Sequence, residues 1–343
     1  MERLRVGVVG ATGYSGAVVT RLVATHPRLT LAFATSDRLA GESVGGRMGV
    51  RLGDDLRFLS NGVAIDQADR CDAVVLATAA EVSLRLAPAF AERQKQVFDL
   101  SGAFRLQAAD YPRWYGFEHT APQWLGRAHY GLPELFGAPP KGALVANPGC
   151  YPTASLLAVA PLVRAGLVEP AGIVVDAKSG VTGAGRRDTE AYSFAEVAGD
   201  LRAYKLLAHQ HGPEIERALS RVAAGASATF TAHLLPVRRG LFATCYGRPR
   251  PGATAARVAE CLADTYARSA FVRTLAADQV MLKGVVGTNA CHVGATANES
   301  IVLAVGAIDN LLKGAGGQAM QNLNLMNGWD EAAGLEGLQR IAP

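Results

Sequence analysis

What this chain lacks narrows the field first. Only 19% of its residues are charged, with a net charge of +4. It has no lysine- or arginine-rich block, so it carries no electrostatic footprint for a nucleic acid or an anionic membrane. No apolar run reaches the roughly 18 residues that a membrane span needs. The first strand begins without a signal-peptide pattern, and the expectation is a cytoplasmic protein. Its five cysteines, Cys71, Cys150, Cys245, Cys261 and Cys291, are odd in number, scattered and never in a C-x-x-C pair. That argues against a disulfide framework and against a structural zinc site, and no metal is expected. Internal repeats, low-complexity tracts and linker-like stretches are missing as well.

What is present suits an α/β protein. The 343 residues suffice for two domains with real cores, and 49% apolar residues with 38 glycines fit many tight strand-to-helix turns. Residues 3–9 alternate and then run apolar, as a central parallel strand does. They end in Gly10-Ala11-Thr12-Gly13-Tyr14-Ser15-Gly16, after which Val18, Val19, Leu22 and Val23 recur with helical spacing. Glycines between strand and helix let backbone N–H groups approach a pyrophosphate whose charge the helix start stabilises. The spacing is G-x-x-G-x-x-G, so the position in the chain carries the assignment; a tight turn without ligand is the alternative.

A second strand, 29–35, ends at Ser36-Asp37-Arg38. An acid there favours the free 2′-hydroxyl of NAD(H), and an arginine accommodates the 2′-phosphate of NADP(H). Ser36 and Arg38 favour NADP(H), while Asp37 keeps NAD(H) open. Strands at 73–77 and 96–100 with a helix at 82–93 between them continue the pattern. Arg105 follows the last of these strands, where a guanidinium can clamp a phosphate or carboxylate; a solvated arginine is the alternative.

An apolar run at 143–146 leads into Asn147-Pro148-Gly149-Cys150-Tyr151-Pro152-Thr153 and the helical pattern of 154–165. A cysteine at a helix start meets unpaired N–H groups and a partial positive charge, both of which favour the thiolate. Such a thiolate can attack an acyl carbon while N–H groups hold the oxyanion. A small buried residue at a tight turn is the other possibility. Beyond it, a strand at 173–177 runs into a loop of small residues and hydroxyls, 178–186, suited to an anionic substrate. His209-Gln210-His211-Gly212-Pro213-Glu214 then starts a helix. One of these histidines, oriented by Glu214, is placed to act as acid/base with Cys150, or else to cap the helix. Antiparallel strands at 229–237 and 242–247, a helix at 256–267 and a hairpin of 292–297 with 300–307 complete an α+β second domain. A long amphipathic helix, 309–327, is interrupted by Gly314-Ala315-Gly316-Gly317, which predicts the close approach of something bulky, such as the nicotinamide end of the cofactor.

Taken in order, these motifs resemble the N-acetyl-γ-glutamyl-phosphate reductases of arginine biosynthesis, relatives of the aspartate-semialdehyde dehydrogenases. The match rests on residues 10–16, Leu100-Ser101 with Phe104-Arg105-Leu106, 147–153, 209–215, 235–240, Lys283-Gly284 with Gly287-Thr288-Asn289, and 307–314. The resemblance implies an NADP(H)-dependent enzyme with Cys150 as nucleophile and His211 as acid/base. Glu214 and His209 would support them, Arg105 and Asn147 would hold the substrate phosphate, and Ser179 would belong to the substrate loop. Gly10, Thr12, Gly13, Tyr14, Ser15, Gly16, Ser36 and Arg38 would bind the cofactor, joined by Asn310, Gly314 and Gly317 from the final helix folded back beside the nicotinamide.

The implied fold class is α/β: a Rossmann-like NADP-binding domain at 1–149, completed by 311–343, and a catalytic, substrate-binding and oligomerisation domain at 150–310. A homodimer or homotetramer acting on a small acyl phosphate is expected, with no nucleic-acid or membrane partner. The chain departs from the family at Ala103, where an acid is common, at Asp37, and at Ala290-Cys291-His292. Three alternatives accompany this assignment: a carrier-protein-linked acyl-phosphate reductase of lysine biosynthesis, an aspartate-semialdehyde dehydrogenase, and a cofactor-sensing regulator. Pro148 and Tyr151-Pro152 speak against the first.

Overall fold

The computed structural model describes residues 3–52, 55–186 and 190–336. They form two compact units: one takes the described residues of Met1–Pro148 and Ala315–Gly337, the other those of Gly149–Gly314. Part of the expected 311–343 completion, residues 337–343, lies outside the described residues.

The first unit is built on a fully parallel sheet of β1 (Leu4–Val9), β2 (Leu29–Ala34), β3 (Ala73–Leu76), β4 (Gln96–Asp99), β5 (His129–Tyr130) and β6 (Leu144–Ala146), in the order β2-β1-β3-β4-β6-β5. Helices α1 (Tyr14–Thr25) and α2 (Ala80–Glu92) supply the crossovers. The central strands are buried on both faces, which is why they read as continuous apolar runs rather than alternating ones. Val9, Phe33, Val74, Leu76, Phe90 and Val97 pack in one core cluster. Gly7 interrupts β1 for a steric reason: a side chain there would overlap the Phe33 ring.

Between β4 and β6 the chain is organised by the buried Tyr111. Its hydroxyl donates to the carbonyls of Gly102 (3.0 Å) and Ala103 (2.6 Å) and accepts from the N–H groups of Arg105 (3.1 Å) and Leu106 (3.3 Å). One phenol thus pins the whole loop that carries Arg105.

The second unit is a mixed sheet of β7 (Ile173–Gly180), β8 (Arg202–Tyr204), β9 (Ala228–Leu235), β10 (Leu241–Gly247), β11 (Val272–Thr274), β12 (Cys291–Ala297) and β13 (Val302–Ile308), in the order β11-β12-β13-β10-β7-β9-β8. Helix α3 (Cys150–Arg164) is buried continuously from Tyr151 to Val163. It packs on β10, β12 and β13, while α4 (His211–Ser220) covers β9 and α5 (Ala255–Tyr266) covers β12. A helix apolar all round belongs in a core.

Three expectations change here. The strands at 229–237 and 242–247 do run in opposite directions, but β7 lies between them, parallel to β9 and antiparallel to β10. β7 itself continues through Lys178, Ser179 and Gly180, because Gly180 donates its N–H to the Gly240 carbonyl at 2.9 Å; the loop begins only at Val181. The final helix is not one amphipathic rod. Residues Leu312–Gly316 wind as a π-helix and α6 (Gly317–Met326) follows, a rare turn that suits a glycine-rich stretch.

Helix α6 packs within the first unit against α1 and β4. Its amides Gln318, Gln321, Asn322 and Asn324 are all fully buried. Burial of so much polar surface requires partners, and each amide nitrogen has one, whereas Gln318 Oε1 and Asn322 Oδ1 are buried without one among the described residues. Asn322 Nδ2 donates to the Gly131 carbonyl and to Asn147 Oδ1, both at 2.9 Å. Asn324 Nδ2 donates to the carbonyls of Glu331 (3.1 Å) and Ala333 (2.9 Å).

A Gly7→Ala substitution forces a methyl into the Phe33 ring. Overpacking of this kind costs about 1–3 kcal/mol, so thermal unfolding should shift down by roughly 2–4 °C per kcal/mol. An unchanged melting temperature would show that Phe33 repacks at no cost.

Candidate active site

The strand-to-helix turn of the first unit opens on a cleft of about 640 Å³ lined by Gly10, Thr12, Gly13, Ser36, Asp37, Arg38 and Asn61 on one side and by Ala77, Thr78 and Arg85 on another. Gly10 holds φ +78°, and a side chain there would come within 2.5 Å of the Ala77 carbonyl oxygen, so only glycine suits it. A side chain on Gly16 would overlap the Gly10 carbonyl; its absence is what lets α1 close on the strand. Gly13 precedes α1 with no side-chain cap and no acid in the first turn. No capping side chain or acid thus competes with an anion at the start of this helix.

Thr12 Oγ1 and Ser36 Oγ share a hydrogen bond of 2.7 Å, and Ser36 Oγ also accepts from the Leu39 N–H at 3.3 Å. Ser36 is thus a buried tie across the turn. These residues fit a dinucleotide at this position. Tyr14 and Ser15 stand in the first turn of α1, half-buried, outside the cleft lining.

In the second unit Cys150 is the first residue of α3, not a loop residue ahead of it. The thiol therefore sits on the helix terminus, where the field favours an anionic sulfur. Gly149 precedes it in extended conformation (φ −66°, ψ 157°). A side chain on Gly149 would overlap His211 Nε2, so the imidazole lies directly on the cysteine turn. A side chain on Gly314 would stand 2.7 Å from Cys150 Cβ. The protein atom nearest that position is thus the Cβ of the cysteine.

Glu214, 1% exposed, reaches the same turn. Its Oε1 accepts from the Gly149 N–H at 2.8 Å. That N–H is therefore not among the donors left for an oxyanion. His211 opens α4 and its N–H donates to His209 Nδ1 at 3.1 Å. Burial, reinforced by the charge of Lys205, pushes His209 down to about 3; it is neutral and able to accept. His209 and His211 lie 4.7 Å apart between ring centroids, within an aromatic wall of Tyr151, Tyr204 and Phe230. Tyr151 Oη donates to the His233 carbonyl at 3.2 Å and shares a 3.1 Å bond with Tyr204 Oη.

The remaining candidates are distributed as follows. Arg105, in the first unit, is 6% exposed and donates from one guanidinium nitrogen to the Leu100 carbonyl at 2.7 Å. Asn147 is fully buried, its Nδ2 donating to the Asp99 carbonyl at 3.3 Å and its Oδ1 accepting from Asn322. Its amide is thus committed to protein on both sides. Ser179 is 1% exposed and donates to the Gly180 carbonyl at 3.2 Å.

Asn310 accepts the Gly240 N–H at 2.8 Å and donates to Thr182 Oγ1 at 3.0 Å. That side chain holds the 181–184 turn. Gly317 is buried at the start of α6. Burial pushes the Cys71 thiol up to about 11 and Cys245 up to about 12, which leaves both inert. Among the described residues no group of His, Cys, Asp and Glu is placed to hold a metal ion, and no helix is long and apolar enough to cross a membrane.

Residues 5–141 match the model of the semialdehyde dehydrogenase NAD-binding domain, and residues 150–310 that of the semialdehyde dehydrogenase dimerisation domain. The N-acetyl-gamma-glutamyl-phosphate reductase of Magnetococcus marinus is 43% identical over 98% of this chain and 98% of its own. That of Geobacillus stearothermophilus is also 43% identical, over 98% of this chain and 99% of its own. The chain belongs to the N-acetyl-gamma-glutamyl-phosphate reductase family. It is thus an oxidoreductase of the semialdehyde dehydrogenase type. The aspartate semialdehyde dehydrogenase II of Vibrio cholerae, solved with ASA, superposes with a TM-score of 0.71 over 96% of this chain and 99% of that one; at 17% identity the likeness is one of fold.

The motifs pointed to the cysteine turn and the glycine-rich turn but not to the residues that surround them. Tyr111, Asn61 and Arg85 had no signal in the sequence: Tyr111 bonds back to residues 102–106 inside an irregular loop, and Asn61 and Arg85 reach the end of β2 only once the chain has folded. The departure at Ala103 has a physical reason: the position is fully buried, beside Phe104 and Trp124 in the core, where an acid would be costly. His292 is held below its usual value by burial and by Arg273 and so adds no charge near neutrality.

His209 generates a pH prediction. Unfolded, it takes up a proton near pH 6.5; folded, it resists until about 3. Its contribution to stability is complete above pH 6.5 and is lost as pH falls toward 3, at up to about 1.4 kcal/mol per pH unit. Denaturant unfolding of His209→Gln beside the parent should show a shallower acid loss. Parallel pH profiles would mean that His209 is protonated in the folded state.

Proposed function

We propose that the chain reduces N-acetyl-γ-glutamyl phosphate with NADPH, giving N-acetylglutamate 5-semialdehyde and phosphate in arginine biosynthesis. Cys150 is the nucleophile and His211 the acid/base. The observation that carries this is the junction at Gly149-Cys150: a thiol on the first residue of a buried helix, with an imidazole seated on the glycine before it.

An acyl phosphate is already activated, so the task is to exchange phosphate for hydride without losing the acyl group to water. Covalent catalysis separates the two steps. The Cys150 sulfur attacks the γ-carbonyl carbon, a C–S bond forms as the C–O bond to phosphate breaks, and a thioester results. Bound NADPH supplies the hydride that takes this carbon to the aldehyde level. His211, which takes the Cys150 thiol proton before the attack, gives it to the carbonyl oxygen as the hydride arrives and takes it back as the C–S bond breaks and sulfur leaves as thiolate.

Glu214 and His209 are positioning residues, the first holding the Gly149 N–H and the second the N–H of His211. Arg105 is assigned the leaving phosphate on its chemistry, as a guanidinium suited to bidentate oxyanions. Asn147 supports the strand end from which the cysteine turn departs. The β7 end at Ser179 and the following turn are assigned the N-acetyl-glutamyl portion. The cofactor lies against Gly10, Thr12, Gly13 and Arg38. The enzyme works in the cytoplasm as a homodimer or homotetramer built on residues 150–310.

The test runs the reaction backwards with N-acetylglutamate 5-semialdehyde, phosphate and NADP⁺, with aspartate semialdehyde in a parallel cell. Phosphate-dependent appearance of reduced cofactor is expected with the acetylated substrate alone. Cys150→Ala should lose about 10⁴-fold or more in turnover while NADPH binding persists. His211→Asn should lose about 10²–10⁴-fold. Substantial turnover by Cys150→Ala would rule out the thioester.

A further inference from the structure

The end of β2 carries both an acid and a base, and the sequence leaves open which of them reads the cofactor. We propose that Asn61 settles the preference: it captures the Asp37 carboxylate, and Arg38 and Arg85 are left to select a 2′-phosphate. This rests on the assignment of the cleft to a nicotinamide dinucleotide.

An acid that reads a ribose offers its two oxygens to the vicinal hydroxyls. Asp37 offers both to one residue instead. Oδ1 accepts from the Asn61 backbone N–H and Oδ2 from Asn61 Nδ2, each at 2.7 Å. Bidentate, charge-assisted bonds are strong and directional.

Asn61 is itself held in one orientation. Its Oδ1 accepts from the Thr35 hydroxyl at 2.6 Å, and Thr35 Oγ1 in turn accepts from the Gly10 N–H at 3.2 Å. Rotating the amide by half a turn would set its oxygen against the carboxylate and its nitrogen against the hydroxyl proton. The backbone around it is fixed as well. Ser36 donates its N–H to the Leu59 carbonyl at 2.7 Å, and Leu59 donates its own to the Ala34 carbonyl at 3.0 Å. A continuous chain of bonds thus runs from the phosphate-facing glycine, through Thr35 and Asn61, to Asp37.

Arg38 and Arg85 line the same cleft. Neither makes a hydrogen bond or an ion pair with another described residue. Arg38 comes from the end of β2 and Arg85 from α2, so two guanidiniums from separate elements border the cleft while the one acid among them is engaged. A phosphomonoester carries about −1.5 to −2 charges at neutral pH. Two free guanidiniums favour it, whereas a bare ribose hydroxyl gains nothing from them.

Equilibrium binding of NADPH and NADH to the full chain, by calorimetry, tests this without turnover. The parent should prefer NADPH. Asn61→Ala keeps the backbone N–H on Oδ1 but frees Asp37 Oδ2, and should lower the NADPH:NADH preference roughly tenfold, mainly through gained NADH affinity. The double variant Asn61→Ala/Asp37→Asn should cancel that gain. Asp37→Asn alone should change NADH affinity by no more than about twofold, and Arg85→Ala should weaken NADPH roughly tenfold with little change for NADH.

A tenfold loss of NADH affinity in Asp37→Asn would overturn the proposal, since the acid would then already be reading the ribose. So would an unchanged preference in a folded Asn61→Ala. If Asn61→Ala does not fold, the Asp37→Asn and Arg85→Ala arms decide. A parent chain that binds neither nucleotide would instead remove the dinucleotide assignment on which this inference stands.

Discussion

The bond from the Gly149 N–H to the buried Glu214 carboxylate is the constraint around which the catalytic unit is arranged. A hydrogen bond to a charged group contributes about 1.5–3 kcal/mol, and a carboxylate this buried is tolerated only when it is bonded. Through this contact α4 is fastened to the start of α3. The fastening sets His211, at the head of α4, on the same turn as Cys150. Two glycines make the arrangement possible by having no side chain, Gly149 under the imidazole and Gly314 beside the sulfur-bearing carbon. The nucleophile is thus defined as much by what its neighbours lack as by what they carry.

The dinucleotide unit solves a different problem with similar means. Its last helix, α6, is buried on all sides although four of its ten residues are amides. Each amide bonds to backbone or side chain within that unit, so the helix is locked in one register. Asn147, Asn322 and Gly131 form the part of this network that secures the end of β6. That strand end leads directly into the cysteine turn.

Much of the fold was legible because periodicity follows burial. The parallel strands read as apolar runs, α1 and α2 as helical repeats, and the 10–16 turn as glycine spacing with a steric purpose at Gly10 and Gly16. Where the pattern misled, a partner distant in sequence had intervened. β7 entered between two strands that are neighbours in sequence, and its pairing drew Lys178, Ser179 and Gly180 out of the expected loop. The stretch read as one amphipathic helix at 309–327 became a π-turn and a buried helix, because hydrogen bonds to its amides outweighed their preference for water.

The sequence by itself determined the chemistry on offer. It placed a cysteine at a strand-to-helix junction, a His-x-His-x-Pro-Glu run and a glycine-rich dinucleotide turn, since each is a local motif whose spacing has a physical meaning. Tertiary structure decided how those groups are used. It gave Glu214 to a backbone N–H of the cysteine turn, made His209 a neutral acceptor by burying it, and committed Asn147 and Asn310 to structural bonds. It also set Asn61 against Asp37 across 24 residues of chain. Such assignments depend on which donors and acceptors meet after folding, and no spacing along the chain encodes that meeting.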